Sequence, residues 1–170
     1  MKHKLLLLYT WFIRTIFFFI PDMPFTMCIR GFFYGLGMKR CGKNFQVTND
    51  VWLKGLESIT IGDNVFIGNS TIFLSSGDIV VGNNVLIGPH CILVSGNHIF
   101  KNGSYNNSDS CVGSIEVQDN SWIGGNCTLT PGAKLSARSV LGANSFLNRD
   151  TIEEQSLFGG VPAKFIKKMC

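Results

Sequence analysis

Residues 61–90 read IGDNVFIGNSTIFLSSGDIVVGNNVLIGPH. The segment IGDNVF at Ile61 returns as VGNNVL at Val81, and an earlier copy, CGKNFQ, begins at Cys41. Gly is second in each (Gly42, Gly62, Gly82), Asn is fourth (Asn44, Asn64, Asn84), and an apolar residue is fifth (Phe45, Val65, Val85). Six residues after each start comes another apolar start: Val47, Ile67 and Ile87. From Val117 the hexads run without interruption through Ile123, Leu129, Leu135, Leu141 and Leu147.

A six-residue apolar period is not helical, because a helix repeats its apolar face at three and four. Gly, Asn and Asp between the aliphatic positions tolerate turns and positive φ. The pattern therefore reads as short strands joined by tight corners, three hexads to a coil, with stacked coils burying one continuous column. The early spacing of twenty reads as eighteen plus a two-residue bulge at Ile59-Thr60 and Ile79-Val80.

At 170 residues the chain is long enough for one domain with a real core. Charged residues make up 15% and apolar ones 45%, which excludes a disordered chain. The nineteen Gly follow no G-x-y period, which excludes collagen. Cysteines 28, 41, 91, 111, 127 and 170 are scattered without a C-x-x-C, so they read as reduced, small, mostly buried residues of a cytosolic protein. No P-loop or G-x-G-x-x-G is present, and nothing points to nucleic acid.

The +4 formal charge is concentrated in residues 1–40, where Lys2, Lys4, Arg14, Arg30, Lys39 and Arg40 face Asp22 alone. Seven of the fourteen Phe lie there too. Leu5–Ile20 is almost wholly apolar but is interrupted by Arg14 and stopped by Pro21, which makes it too short to span a bilayer. No small-x-small cleavage site follows it, as a signal peptide requires. It reads as a basic, aromatic helix lying in the membrane interface, or packing on the body of the protein. Phe25–Gly37 reads as a second short amphipathic helix. The division is thus 1–40 (hydrophobic, basic, helical), 41–158 (repeat body with residues 99–114 ejected as a loop) and 159–170 (tail).

The hexads resemble those of the hexapeptide-repeat acyltransferases. Ser121-Trp122-Ile123-Gly124-Gly125 is similar to that family's W-I-G segment, Leu141-Gly142-Ala143-Asn144-Ser145 to its I-G-A-G-S segment, and Gly160-Val161-Pro162-Ala163-Lys164 to its G-x-P-A-K/R segment. Gln118 and Ser136 depart from it where Gly is usual, and Asn144 stands for the second Gly of the coenzyme segment. The resemblance implies an all-β fold, a left-handed parallel β-helix, preceded here by the helical segment. It also implies acetyl-CoA as acyl donor, a homotrimer with active sites between subunits, and a saccharide acceptor.

By the same resemblance His98, at the root of the ejected loop, is the catalytic base. A neutral imidazole can take a proton from the acceptor hydroxyl and return it to the coenzyme sulfur. Asn97, Trp122, Asn69 and Asp78 are implied as acceptor contacts, with Glu116 a weak candidate to orient His98. Gly125 and Ala143 are implied to lie along pantetheine, and Asn148, Arg149, Lys164 and Lys167 toward the nucleotide. No metal is expected. The γ-class carbonic anhydrases on this fold need three His, and the body holds only His90 and His98. His90 reads as an outward corner residue and His3 as idle. The expectation is an O-acetyltransferase for a bacterial surface glycan or lipid-linked saccharide, peripheral on the cytoplasmic membrane face through residues 1–37. The alternative is one for a small acceptor: a free sugar, an amino sugar or a chloramphenicol-type antibiotic.

Overall fold

Three parallel sheets with strands mostly two or three residues wide form the sides of a triangular column. The computed structural model describes residues 2–169, and of residues 2 and 106–109 the backbone only. Met1 and Cys170 lie outside the described residues. The first face stacks Arg40–Cys41, Ile59–Ile61, Ile79–Val81, Ile115–Val117 and Lys134–Leu135. The second stacks Gln46–Val47, Phe66–Ile67, Leu86–Ile87, Trp122–Ile123, Val140–Leu141 and Ser156–Gly159. The third stacks Trp52–Lys54, Ile72–Leu74, Ile92–Val94, Thr128–Leu129 and Phe146–Leu147. The result is a left-handed β-helix of about six turns.

The hexad aliphatics point inward as the period requires. Val47, Ile67, Ile87, Ile123 and Leu141 stack as one fully buried column, and Leu53, Phe73, Leu93, Leu129 and Leu147 as another. The hexad Gly is explained by the stacking: a Cβ on Gly62 would lie 2.6 Å from the carbonyl carbon of Gly82 one turn on. The hexad Asn turns the corner in the left-handed region, with φ of 53°, 56°, 53° and 60° at Asn44, Asn64, Asn84 and Asn120. Their amides form a ladder, each Nδ2 donating to the next Oδ1 at 3.0, 3.0 and 3.1 Å. Ser136, standing where Gly is usual, is buried and its hydroxyl donates to the Glu153 carbonyl at 2.6 Å.

The two extra residues of the early coils are not a strand bulge. Ile59–Ile61, Ile79–Val81 and Ile115–Val117 pair in straight register. The insertion is absorbed by the corner before each strand, through a 3-10 turn at Leu56–Ser58 and the bend at Ser76–Gly77, where no ladder has to be interrupted.

Two helices cover the N-terminal end of the column: α1 (Lys2–Phe17) and α2 (Pro24–Gly35). Helix α2 buries Met27, Arg30, Gly31 and Tyr34 at helical spacing. It lies so close to the first coil that a Cβ on Gly31 would sit 1.9 Å from the Phe45 carbonyl oxygen. Helix α1 buries Thr10, Ile13 and Phe17. Its other side exposes Leu5, Leu8, Phe12 and Ile16, with Phe19 beyond it, and α2 exposes Phe25 and Phe32, with Leu36 just past its end. No helix among the described residues is long and apolar enough to cross a membrane. His3 is not idle: its Nδ1 lies 2.5 Å from Glu57 Oε1, tying the start of α1 to the 3-10 turn.

At the far end, the tail folds back. Lys164–Lys168 pairs antiparallel with Ser156–Gly159 and closes the second face.

Candidate active site

The segment read as an ejected loop is a β-hairpin arm, Gly96–Lys101 against Ser104–Val112. Its turn is Asn102-Gly103, with φ of 52° and 81°, the pair of positive values that a tight hairpin demands. Asn-Gly was the signal in the sequence; the surrounding polar residues, including Asn106, Asn107 and Ser108, masked it.

The arm leaves the corner between the third and first faces, and its root is locked. The buried Ser95 hydroxyl accepts from the Gly77 amide at 2.8 Å and lies 2.9 Å from the Gly77 carbonyl. The Gly113 amide donates to the Ser95 carbonyl at 3.0 Å, closing the neck. His98 is three residues out from this lock, exposed, and paired across the arm with Ser110. The register slips between His98 and Phe100, and such a bulge re-aims the side chains beside it. Phe100 packs against Tyr105 farther along, with ring centroids 5.2 Å apart and the rings tilted at 56°.

Asn97 is exposed next to His98. Asp78 lies on the same corner: its carbonyl accepts from Ile115, the first residue of the strand after the arm, at 2.9 Å. Its carboxylate takes the Lys39 ammonium at 3.0 Å. Asn69 lies on another corner, between the second and third faces, where its Nδ2 donates to Asp22 at 3.2 Å and to Asp50 at 3.5 Å. Glu116 points out from the first face and is held by Lys134 at 3.2 Å and Gln118 at 3.0 Å. His90 is an exposed corner residue at φ 58°, on the Asn69 corner rather than beside the arm.

Trp122 stands on the second face between Leu86 and Val140, half exposed. It belongs to an outward apolar column with Phe66, Leu86, Val140 and Leu157. The third face carries a similar outward column of Trp52, Ile72, Ile92 and Phe146, interrupted by Thr128, whereas the first is more polar, with Thr60, Val80, Glu116 and Lys134.

Gly125 and Ala143 stack on the second–third corner; the Gly125 carbonyl accepts from Asn144 at 3.0 Å. Asn144 keeps φ 60°, a conformation that glycine takes freely and Asn tolerates, and its Oδ1 accepts from Asn126 at 2.6 Å. The departure from Gly is therefore absorbed in a corner ladder. Asn148 and Arg149 sit, exposed, on the third–first corner of the last full coil. Arg149 and Lys164 line one shallow depression of about 230 Å³ with Asp150, Phe158 and Ala163. Lys167 is exposed on the returning strand opposite Leu157. The chain thus sets Asn97 beside His98 on the arm, Asp78 on the corner from which the arm leaves, and Arg149 and Lys164 together in a separate depression. Asn69, Gly125 and Ala143 share a different corner.

Comparison with known proteins extends this picture. Residues 110–149 match the signature described as the hexapeptide repeat of succinyl-transferase. WbbJ of Escherichia coli K12, named for lipopolysaccharide biosynthesis O-acetyl transfer, is 30% identical over 148 residues, covering 79% of this chain and 63% of WbbJ. The galactoside O-acetyltransferase of the same organism is 27% identical over 138 residues, 81% of this chain and 57% of that one. The chain spans less than two thirds of the length of either relative. The crystal structure of a hexapeptide-repeat acetyltransferase from Vibrio cholerae, complexed with acetyl coenzyme A, superposes with a TM-score of 0.78 at 24% identity, covering 93% of this chain and 86% of that one.

Proposed function

We propose that this chain, a hexapeptide-repeat protein of left-handed β-helix fold, transfers an acetyl group from acetyl-CoA to a hydroxyl of a saccharide. The observation that carries the reading is His98: an exposed imidazole on an arm whose root is fixed by Ser95, Gly77 and Gly113. A base held on a rigid scaffold and open to solvent suits a bulky hydroxyl acceptor. In the reaction the imidazole takes the hydroxyl proton as the oxygen attacks the thioester carbonyl. The carbon–sulfur bond breaks, and the proton passes to the departing sulfur. Asn97, next to His98, and Asp78, on the corner at the root of the arm, would meet the acceptor. Gly125 and Ala143 supply a narrow, side-chain-poor edge for pantetheine, with Asn148, Arg149, Lys164 and Lys167 toward the phosphates.

Sites on different corners of one chain come together when copies pack side by side. The outward apolar columns on two of the three faces support a homotrimer in which Trp122, Asn69 and the coenzyme edge of one subunit meet His98 of another.

The acceptor we favour is a surface glycan or lipid-linked saccharide, acetylated at the cytoplasmic membrane face. The name of WbbJ and the exposed apolar residues of α1 and α2 both support this. Those residues, flanked by Lys4 and Arg40, suit insertion into the interface of a bilayer. A small free sugar is the second reading, favoured by the similarity to a galactoside O-acetyltransferase.

The test is coenzyme A release from acetyl-CoA with lipid-linked saccharides, free sugars, amino sugars and chloramphenicol as acceptors. His98→Ala is expected to lower acceptor-dependent release by roughly 10²–10⁴ while acetyl-CoA binding persists. Loss of acetyl-CoA binding in that variant, or an unchanged rate, would overturn the general-base role. Wild type that neither binds acetyl-CoA nor releases coenzyme A would overturn the enzyme reading. The responding acceptor decides between glycan and small molecule.

A further inference from the structure

A groove of about 610 Å³ opens between the C-terminal half of α2 and the first coil. Its floor is Cys28, Gly35, Met38 and Cys41, half-buried, with Phe45 buried beneath. Phe32 and Leu36 form one wall, 62% and 65% exposed, and share at helical spacing the exposed apolar face of α2 with Phe25. Lys39, Arg40 and Lys43 stand at the opposite rim, all exposed. Lys39 is engaged by Asp78. Asp63 accepts from the Lys43 backbone amide at 2.7 Å. The groove is apolar at its base: burial first, then the Asp63 charge, pushes the Cys41 thiol above its ordinary range.

A slot of this size suits part of a small ligand, and its pattern is specific. One side is aromatic and aliphatic and belongs to the proposed membrane-facing surface. The other offers two cations, one of them a guanidinium, the group best matched to phosphate oxygens. A free anion would leave the apolar wall unused, and a neutral lipid would leave Arg40 and Lys43 unused.

We propose that this groove holds the phosphate of a lipid-borne acceptor, with the start of its hydrocarbon chain against Phe32 and Leu36 and the phosphate oxygens on Arg40 and Lys43. The inference deepens the lipid-linked saccharide reading above and rests on it. Its geometry fits the rest of the fold. The arm leaves the third–first corner three coils from Lys39, or about 14 Å at the usual interstrand spacing. The polar first face spans that interval, so a saccharide attached at the groove lies along it toward His98.

The probe is n-dodecyl phosphate below its micellar concentration, titrated calorimetrically into the full chain. Dodecyl maltoside (tail without phosphate) and inorganic phosphate (anion without tail) are run in parallel. Saturable binding of dodecyl phosphate is expected, at least tenfold tighter than either control. Arg40→Gln with Lys43→Gln is expected to weaken it roughly tenfold or more. Leu36→Asp, which sets an anion in the exposed wall, should do the same. No saturable binding, equal binding of either control, or indifference to both variants would overturn the proposal. Two further readouts keep failures apart. Leu8→Ser with Phe12→Ser should abolish sedimentation with phosphatidylcholine vesicles yet leave dodecyl phosphate binding intact. Coenzyme A release with a free sugar should survive the groove variants. Loss of vesicle binding alone speaks to the membrane face, and absence of release in wild type speaks to the enzymatic reading.

Discussion

The guanidinium of Arg30, fully buried in α2, donates to the Asp22 carboxylate at 2.9 Å. Arg30 also donates to the carbonyls of Phe17 and Ile20 at the end of α1, at 3.4 and 3.1 Å, and to Val47 of the first coil. Asp22 in turn accepts from the Asn49 amide at 2.9 Å and from Asn69. One ion pair therefore joins the turn between the helices, both helices and the first two coils. Truncation to Arg30→Met removes the cation from Asp22 and a buried donor from the Ile20 and Val47 carbonyls. Breaking a fully buried pair costs about 3–5 kcal/mol, and because Asp22 is partly solvated and keeps Asn49 and Asn69 the loss falls at or below the low end of that range. Urea unfolding should show that loss. Arg30→Lys should recover only part of it, because a point charge cannot reach all four acceptors. Full recovery by Lys would mean that charge alone matters.

The Asn ladder separates backbone conformation from hydrogen bonding. Asn64 accepts from Asn44, donates to Asn84, and holds φ 56°. Asn64→Gly loses the two exposed side-chain bonds, at roughly 0.5 kcal/mol each. Asn64→Ala loses those and also forces an L side chain into the left-handed region, adding about 1 kcal/mol. Chemical denaturation should rank wild type above Gly above Ala. Equal losses would show that the ladder alone carries the position.

Much of this architecture was legible because the hexad states its own physics. Gly62 must lack a Cβ under the next coil, Asn64 must turn the corner, and Val65 and Ile67 must face inward. Both helices were readable from apolar runs and Pro21, although α1 begins at Lys2 and ends at Phe17, before the apolar run does. What escaped the sequence was pairing between distant segments. Nothing near Arg30 announces Asp22 and Val47 as its partners, and nothing near His3 announces Glu57. The arm was missed because its Asn102-Gly103 turn is embedded in polar residues whose partners lie across the hairpin. Asn69 shows the limit of counting along a coil: spacing predicts the level of a residue in the column, but the corner decides its neighbours.

Asp50 makes the second–third corner acid-sensitive. Burial on its own would raise its pKa, but bonds from the Ser70 hydroxyl at 2.6 Å and amide at 2.9 Å outweigh it and hold the carboxyl below its ordinary value of 3.8. A depressed folded pKa gives stability that is present above the unfolded value and is lost as pH falls through the folded one. Urea midpoints taken from pH 6 downward should hold steady and then fall below about 3.8. Asp50→Asn should be less stable at pH 6 and should fall less steeply in that acid window. An identical acid slope in the variant would remove Asp50 as a contributor.

The depression lined by Arg149 and Lys164 provides a test of where the nucleotide end of the coenzyme lies. Both cations sit at the C-terminal end of the column, distant in sequence from His98, and Asp150 beside them tempers their field. If they meet the coenzyme phosphates, their removal should act on the nucleotide and leave the thioester end untouched. Arg149→Gln with Lys164→Gln should then weaken acetyl-CoA binding roughly tenfold, while acetyl-pantetheine, which lacks the nucleotide, binds wild type and variant alike. The difference should shrink as salt rises from 0.05 to 0.5 M, because exposed charges are screened over a Debye length of about 10 Å at 0.1 M. Equal weakening of both ligands would mean that the substitutions disturb the returning strand Lys164–Lys168 and not a phosphate contact. Unchanged acetyl-CoA affinity would assign the phosphates to another surface.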